Sequence, residues 1–242
     1  MKLDVLAFAA HPDDTELCCA GTLASLAGKG YKVGVVDLSR GEMGTRGTAE
    51  GRLKEAENAG KILGLSVRDN LGLPDCGLDN TEDHRLQIIR ATRKYRPDIC
   101  FINSPEDRHP DHRNAARLTA DALFYSGLKN IKTEGQEPWR PFHMLHYMQH
   151  WSFVPSLIFD ITDTLEIKEQ AILAFKSQFN VPASASGPKT YISGKPFFDA
   201  LRGRARYYGH KIGVEFGEPF LYYGGPMPVK NLDFLMESKT MS

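Results

Sequence analysis

Two short apolar runs separated by one helical segment open the chain, and this order restricts the fold more than any other feature. Residues 3–10 are almost all apolar, residues 17–27 carry apolar side chains at helical spacing, and residues 33–38 are mostly apolar and include three β-branched valines. Gly28 and Gly30 favour the end of the helix between the two runs. A strand, a helix and a second strand form a βαβ unit, which predicts a parallel sheet.

The same alternation continues along the chain. Further strands are predicted from about residue 71 and over residues 98–103, 144–149 and 157–161, and helices over about 49–63, 82–95, 113–125, 167–179 and 198–212. Residues 181–196 are rich in Pro, Ser and Gly and are predicted to be a loop or lid. Without a linker or a break in composition, we expect a single domain over residues 1–242. The predicted fold class is α/β, with one doubly wound, mostly parallel, Rossmann-like sheet and helices on both faces.

Charge, hydropathy and cysteine usage narrow the partners and the compartment. Thirty basic residues balance thirty acidic ones, so the bulk charge favours neither nucleic acid nor an anionic membrane. The first apolar run is too short for a signal peptide, and no run approaches the roughly 20 residues of a membrane span. The four cysteines show no disulfide framework. We therefore expect a reduced, cytoplasmic protein.

A dense polar turn follows the first predicted strand. Positions 11–16 read His-Pro-Asp-Asp-Thr-Glu, which gives three carboxylates and one imidazole in six residues. A dinucleotide would need glycines in the pattern Gly-x-Gly-x-x-Gly, and three carboxylates would repel its pyrophosphate. Asp13 and Asp14 could also act as helix caps. A group of acids with a histidine is nevertheless better suited to a divalent cation.

A second polar cluster follows another predicted strand. Residues 104–112 include His109, Asp111 and His112. Because the carboxyl ends of parallel strands meet at one edge of a sheet, we expect this cluster to join the first. Two imidazoles and one carboxylate, with a position left open for water, are typical ligands of a catalytic zinc, and iron or cobalt can occupy the same set. One Zn²⁺ per chain is the predicted cofactor, with Fe²⁺ or Co²⁺ as alternatives.

Both motifs resemble those of a known enzyme family. Residues 10–16 and 109–112 are similar to the signature motifs of the PIG-L/LmbE-like zinc N-deacetylases, which remove acetyl groups from N-acetylglucosamine conjugates. The likeness extends to residues 52–56, 73–77 and 209–220 and so covers nearly the whole chain. Within the family, the chain most resembles the bacillithiol-biosynthesis deacetylases, which act on N-acetylglucosaminyl malate.

The resemblance implies a role for each residue of the two motifs. Three residues would bind the metal: His11, Asp14 and His112. Asp13 would be the general base, and it would also hand the proton on to the leaving nitrogen. His109 would stabilise the tetrahedral oxyanion, and Asp111 would orient His109 or pair with its charge.

Three further residues are predicted to contact the substrate, Arg52 and Asp75 from the same resemblance and Tyr191 from its place in the predicted loop or lid. Arg52 would hold sugar hydroxyls or an acidic aglycone, although an ordinary solvated helix residue is the alternative. Asp75 would accept a hydrogen bond from a substrate hydroxyl. Tyr191 would hydrogen-bond the oxyanion or the sugar, although an exposed loop residue without a role is the alternative. The resemblance also implies a small amino-sugar conjugate as partner and a homo-oligomer, for which a hexamer is one arrangement.

Other functions stay open at this point. The same metal could deacetylate a different N-acetylglucosamine conjugate or a chitooligosaccharide. A non-catalytic sugar-binding or metal-binding module could use the same fold, but it would have no use for the free carboxylate of Asp13. A nucleotide-dependent oxidoreductase is disfavoured because the glycine fingerprint is missing.

Overall fold

The computed structural model describes residues 1–179 and 190–226, and within these ranges seven strands form one sheet. The strands are β1 (Val5–Ala9), β2 (Val33–Ser39), β3 (Val67–Leu73), β4 (Ile99–Ile102), β5 (His143–Tyr147), β6 (Leu157–Asp160) and β7 (Gly217–Tyr222). The helices are α1 (Asp14–Cys18), α2 (Ala20–Gly28), α3 (Ala49–Ile62), α4 (Glu82–Tyr95), α5 (Pro110–Tyr125), α6 (Leu165–Leu173) and α7 (Lys195–Lys211).

The strand order of the sheet is β3-β2-β1-β4-β5-β7-β6. The first five strands in this order are parallel, whereas β7 runs antiparallel to both β5 and β6. The chain therefore adds β2 and β3 on one side of β1, and then returns to add β4 and the later strands on the other side of β1. This arrangement confirms the predicted doubly wound, mostly parallel α/β fold, and it puts the topological switch point between β1 and β4.

Alternate side chains of the central strands fill two hydrophobic cores. On β1, Leu6 and Phe8 face the core built with α4 and α5. Val5 and Ala7 face the opposite core, which includes Leu23 of α2. Both faces of β1 are thus buried, as expected for a strand of a parallel sheet that is covered by helices on both sides.

The first predicted helix is interrupted. Cys19 has φ −140° and ψ 12°, which divides the segment into α1 and α2. The first turn of α2 is capped from the other end of the chain, because the Glu218 carboxylate accepts hydrogen bonds from the amides of Gly21 and Thr22. Sequence periodicity alone could not predict this break, since the capping group comes from β7.

Other boundaries differ from the predictions for local reasons. Helix α5 begins three residues earlier than predicted, since Pro110 occupies its first turn and the His109 side chain caps it. Strand β3 begins at Val67 and not near residue 71. Strand β7 was not predicted, because the glycine and proline at its start weaken the strand pattern. Residues 181–189 of the predicted loop lie outside the described residues, and its last two residues already belong to α7.

No helix within residues 1–179 and 190–226 is long and apolar enough to cross a membrane.

Candidate metal centre and active site

The two polar clusters meet at the carboxyl ends of β1 and β4, on either side of the topological switch point. The ring centroids of His11 and His109 lie 4.9 Å apart, as do those of His109 and His112. The sheet order explains this meeting, because β1 and β4 are hydrogen-bonded neighbours. The predicted convergence of the two clusters is confirmed.

Three side chains form a compact set of candidate metal ligands. His11, Asp14 and His112 each offer a ligand atom, and these atoms all lie within 4.8 Å of one another, as do those of His11, His109 and Asp111. The Asp14 carboxylate lies 3.7 Å from Nδ1 of His11 and 3.1 Å from Nε2 of His112. Two imidazoles and one carboxylate at such distances can converge on a single divalent cation.

Each imidazole of this set has its other ring nitrogen against a carboxylate. Nε2 of His11 lies 3.1 Å from Asp75 and 3.3 Å from Asp111, and Nδ1 of His112 lies 2.9 Å from Asp107. Such outer carboxylates fix the tautomer of a ligating histidine and leave its second nitrogen free for a metal. The donor arrangement therefore fits a metal ion.

The negative charge of the carboxylates around this set also favours a cation at the site. Burial alone would lower the pKa of His11, but hydrogen bonds with Asp111, Asp14 and Asp75 raise it well above its usual range. Burial likewise lowers the pKa of His112, but the charge of Asp14 and the hydrogen bond with Asp107 raise it to about 9. The carboxylates thus hold protons on both imidazoles, and a divalent cation can supply the same compensating positive charge.

Asp14 is the most extensively bonded member of the set. Its carboxylate accepts hydrogen bonds from the amide of His11 at 3.0 Å, from the side chain of Asn103 at 3.2 Å and from that of Gln149 at 3.3 Å. The charge of His112, the side-chain hydrogen bonds with His11 and His112, and the charge of His11 hold the pKa of Asp14 well below its usual range, although burial opposes them. Asp14 is therefore a fixed anion at the centre of the set.

Asp13 lies beside this set, but its carboxylate is hydrogen-bonded to Arg52 and not to the histidines. Its carboxylate accepts a hydrogen bond from Nη2 of Arg52 at 3.0 Å, and burial raises its pKa to about 7 even though the Arg52 charge lowers it. Its backbone φ is 115°, a value that non-glycine residues rarely adopt. Although Asp13 precedes α1, its side chain makes no capping hydrogen bond, so the capping alternative is wrong for this residue.

His109 presents one ring nitrogen to the site. Its Nδ1 accepts a hydrogen bond from the amide of Asp111 at 3.2 Å. In the neutral ring the proton must then be on Nε2, which is free to donate. Burial, together with the charges of His11 and His112, lowers the pKa of His109 and favours this neutral form.

The other predicted residues surround this centre. The Asp111 carboxylate accepts from the amide of Cys76 at 2.8 Å and lies beside His11. Its backbone amide donates to the His109 ring, and a carboxylate oxygen lies within 4.8 Å of a His109 ring nitrogen. Asp75 contacts His11 and accepts from the amide of Met43. Tyr191 is exposed, and Arg108 lies over its ring.

Arg52 is buried, and its guanidinium is largely occupied within the protein. Besides Asp13, it donates to the carbonyl oxygens of Pro12 and Gly41, and only its buried Nε lacks a partner among the described residues. The predicted contact between Arg52 and substrate stays a prediction.

Three residues of the site were missed by the sequence analysis, namely Asn103, Asp107 and Gln149. Asp107 lies inside the second motif, and Asn103 and Gln149 follow the ends of β4 and β5. The signal that could have found the last two is a polar side chain just beyond the carboxyl end of an apolar strand. Their hydrogen bonds to Asp14 could not be predicted without the sheet order.

Two cavities open from the candidate metal set. The first, of about 210 Å³, is called the Asp13 cavity here, and its polar lining includes His11, Asp13, Arg52 and Asp75. The second, of about 110 Å³, is called the Leu201 cavity, and its apolar lining consists of Leu17, Cys18, Ile192, Phe197 and Leu201. Six residues line both cavities: Asp14, Leu17, Arg108, His109, His112 and Ile192.

Comparison with known proteins finds relatives whose names agree with a deacetylase site. The sequence profile of the family PIG-L, described as GlcNAc-PI de-N-acetylase, matches residues 6–123. A diacetylchitobiose deacetylase from Thermococcus kodakarensis is 30% identical over 236 residues, covering 91% of this chain and 83% of the relative.

Solved structures extend the likeness to the whole fold. A conserved protein from Thermus thermophilus has a TM-score of 0.85 and 40% identity, covering 94% of this chain and 98% of the other. An N,N'-diacetylchitobiose deacetylase from Pyrococcus horikoshii, solved with an inhibitor, has a TM-score of 0.78 and 30% identity, covering 91% and 84% of the two chains. The likeness therefore extends well beyond the segment that the family profile matches.

Proposed function

This chain belongs to the PIG-L family and is a metal-dependent N-deacetylase of N-acetylglucosamine-containing substrates, and we propose that it uses zinc to deacetylate a short chitooligosaccharide such as N,N'-diacetylchitobiose. The observation that carries this proposal is the set of His11, Asp14 and His112, whose ligand atoms lie within 4.8 Å of one another beside the separate carboxylate of Asp13. A binding module would not need that additional carboxylate.

His11, Asp14 and His112 would hold the zinc ion. When bound, zinc supplies a Lewis acid that polarises the acetyl carbonyl and lowers the pKa of a water molecule. Asp107, Asp75 and Asp111 would keep the two imidazoles in the tautomers that binding requires.

Asp13 would move the proton during hydrolysis. Water adds to the acetyl carbon, the C–N bond breaks, and the products are acetate and a free amine. The Asp13 carboxylate would take the proton from the attacking water and deliver it to the nitrogen, which is a poor leaving group until it is protonated. Arg52 would position this carboxylate through the hydrogen bond of 3.0 Å.

His109 would meet the negative charge that develops on the acetyl oxygen. Its Nδ1 already accepts from the Asp111 amide, so the hydrogen on Nε2 is available for donation. A hydrogen-bond donor that is already in place before the reaction stabilises the charged transition state more strongly than it stabilises the bound substrate. Asp111 would contribute to this orientation through its backbone.

The choice of a neutral sugar as aglycone follows from Arg52 and from the relatives. N-acetylglucosaminyl malate would need a cation for its carboxylates, and Arg52 was the residue expected to provide one. Its guanidinium instead bonds Asp13 and two backbone carbonyls. Arg108 also lines the Asp13 cavity, but it is exposed and lies over the Tyr191 ring. Two of the relatives described above, which match over more than four-fifths of their length, are named as deacetylases of diacetylchitobiose. The malate conjugate therefore becomes the comparison substrate.

Acetate release from three substrates tests the proposal. The zinc-loaded protein is assayed with N,N'-diacetylchitobiose, N-acetylglucosaminyl malate and free N-acetylglucosamine, before and after chelation and zinc restoration. We expect the highest kcat/KM for diacetylchitobiose, loss of activity on chelation and recovery with zinc. A clear preference for the malate conjugate would overturn the proposed substrate, and activity that survives complete metal removal would overturn the mechanism.

A further inference from the structure

The Leu201 cavity has no role in the mechanism described so far. Cys18, Phe197 and Leu201 line this cavity but not the Asp13 cavity, whereas Asp13 lines only the latter. Because Asp14 and His112 line both, an amide bound at the candidate metal set would have one cavity available for each of its two substituents. The chemistry of the two linings can therefore assign the two ends of the substrate.

The two ends of an N-acylated amino sugar differ in the same way as the two cavities. The sugar carries hydroxyl groups, which match the carboxylates and the guanidinium of the Asp13 cavity. The acyl chain is a hydrocarbon, which matches the apolar side chains that define the Leu201 cavity. We propose that the Leu201 cavity binds the acyl chain, so that the enzyme also removes straight N-acyl groups longer than acetyl; this proposal rests on the proposed N-deacetylase function.

A second sugar ring is a poorer occupant of the Leu201 cavity. The deeply bonded polar groups in its lining already have partners: Asp107 accepts four hydrogen bonds, and Arg204 donates to the carbonyl oxygens of Leu17 and Gln149. Arg108, His150 and Tyr191 also line the cavity, but they are exposed. A sugar hydroxyl buried among the apolar side chains would therefore lose its bonds to water with little compensation, which is unfavourable. An acyl chain has no such groups to satisfy.

The volume of the cavity sets the range of chain lengths. A single water needs about 10–15 Å³ of cavity volume, so the Leu201 cavity, at about 110 Å³, has more room than one acetyl methyl group fills. Each further methylene that becomes buried is expected to increase kcat/KM by about fourfold, until the cavity is full.

The test varies only the acyl group. N-acetyl, N-propionyl, N-butyryl and N-hexanoyl glucosamine carrying one common β-linked aglycone are given to the zinc-loaded enzyme, and release of the free amine is measured. For the wild-type protein we expect kcat/KM to rise from acetyl to butyryl. A decrease with each added methylene would overturn the acyl-site proposal while leaving the deacetylase function intact. Release of amine from none of these substrates would contradict the proposed function itself.

Two substitutions of Leu201 make the test specific to the cavity. Leu201→Phe should lower the butyryl-to-acetyl ratio of kcat/KM at least tenfold by filling space, and Leu201→Ala should raise the hexanoyl-to-butyryl ratio. Leu173→Phe, on α6 and outside both cavities, is the matched control and should keep the wild-type ratios. Should Leu201→Phe fail to fold, Leu201→Ala decides the question. Unchanged acyl ratios in the folded variants, or a change only in aglycone preference, would overturn the proposal.

Discussion

The Asp107 carboxylate fixes the imidazole of His112, since its Oδ1 lies 2.9 Å from Nδ1 of that ring. Asp107 is fully buried and also accepts from the amides of His109, His150 and Trp151. Removing it should free the His112 ring to rotate and to change tautomer. We expect Asp107→Ala to weaken zinc binding by about 10- to 100-fold. Competition with a zinc-binding dye measures this change.

A matched control separates the loss of orientation from a general loss of stability. Asp69 also accepts several hydrogen bonds, from Tyr95, Lys94 and the amide of Asn70, but it lies outside both cavities. Asp69→Ala should lower the melting temperature and leave zinc affinity unchanged. Equal zinc affinity in Asp107→Ala and the wild-type protein would mean that Asp107 has only a structural role.

The sequence predicted the elements of the fold better than their junctions. Helix α4 has the predicted bounds, because its apolar residues repeat regularly and Thr81 caps its first turn. The division between α1 and α2 depends on Glu218, which lies almost two hundred positions further along the chain. A local pattern contains no information about such a contact.

The same distinction holds for the site. The meeting of the residue 11–16 and 104–112 clusters could be predicted, because it needs only the rule that parallel strands end at one edge. The bond between Arg52 and Asp13 could not, since it depends on how α3 packs against the loop after β1. Gln149 was missed for a similar reason, because its approach to Asp14 requires β5 to lie beside β4.

Replacing His109 tests its assignment as an oxyanion donor. His109→Ala should keep zinc bound, because the ring is not one of the three proposed ligands. It should lower kcat by about 10²- to 10³-fold, the usual effect of losing one oxyanion donor. Zinc content by atomic absorption, together with steady-state kinetics, measures both properties. Loss of zinc from this variant would instead make His109 a ligand.

The buried ion pair between Lys168 and Glu218 should contribute strongly to stability. Their side chains are 6% and 2% exposed, and Nζ of Lys168 lies 2.6 Å from the Glu218 carboxylate. Glu218→Ala would leave the Lys168 charge buried without its partner and would uncap α2. We expect it to lower the free energy of unfolding by about 3–5 kcal/mol, measured by urea denaturation.

Two further variants show whether that loss comes from the unpaired charge. Adding Lys168→Met to Glu218→Ala should recover part of the stability, because the buried charge is then absent. Glu215→Ala removes an exposed ion pair with Arg206 and should cost less than about 1 kcal/mol. If Glu218→Ala were as mild as Glu215→Ala, the pair would not be the stabilising contact inferred here.

The neighbouring residues Asp13 and Asp14 should respond in opposite ways to the same substitution. Asp14→Asn replaces the carboxylate that lies 3.1 Å from His112 and should release or weaken zinc. Asp13→Asn should leave zinc bound, because the carboxylate it removes faces Arg52. Activity should nevertheless fall by about 10²- to 10⁴-fold in Asp13→Asn, since neither the water nor the nitrogen then has a group with which to exchange a proton.

Zinc content, kcat and melting temperature of the two variants distinguish the possible roles. If neither carboxylate served the metal site or the reaction, both variants would keep zinc and activity and lose only about 1 kcal/mol of stability, the usual effect of a lost local hydrogen bond. Arg52→Lys is a useful companion, because it keeps a positive charge near Asp13 but loses the guanidinium contacts to the carbonyl oxygens of Pro12 and Gly41. It should retain zinc and reduce kcat less than Asp13→Asn does. If Asp13→Asn lost its zinc while Asp14→Asn kept it, the two carboxylates would have to exchange their assigned roles.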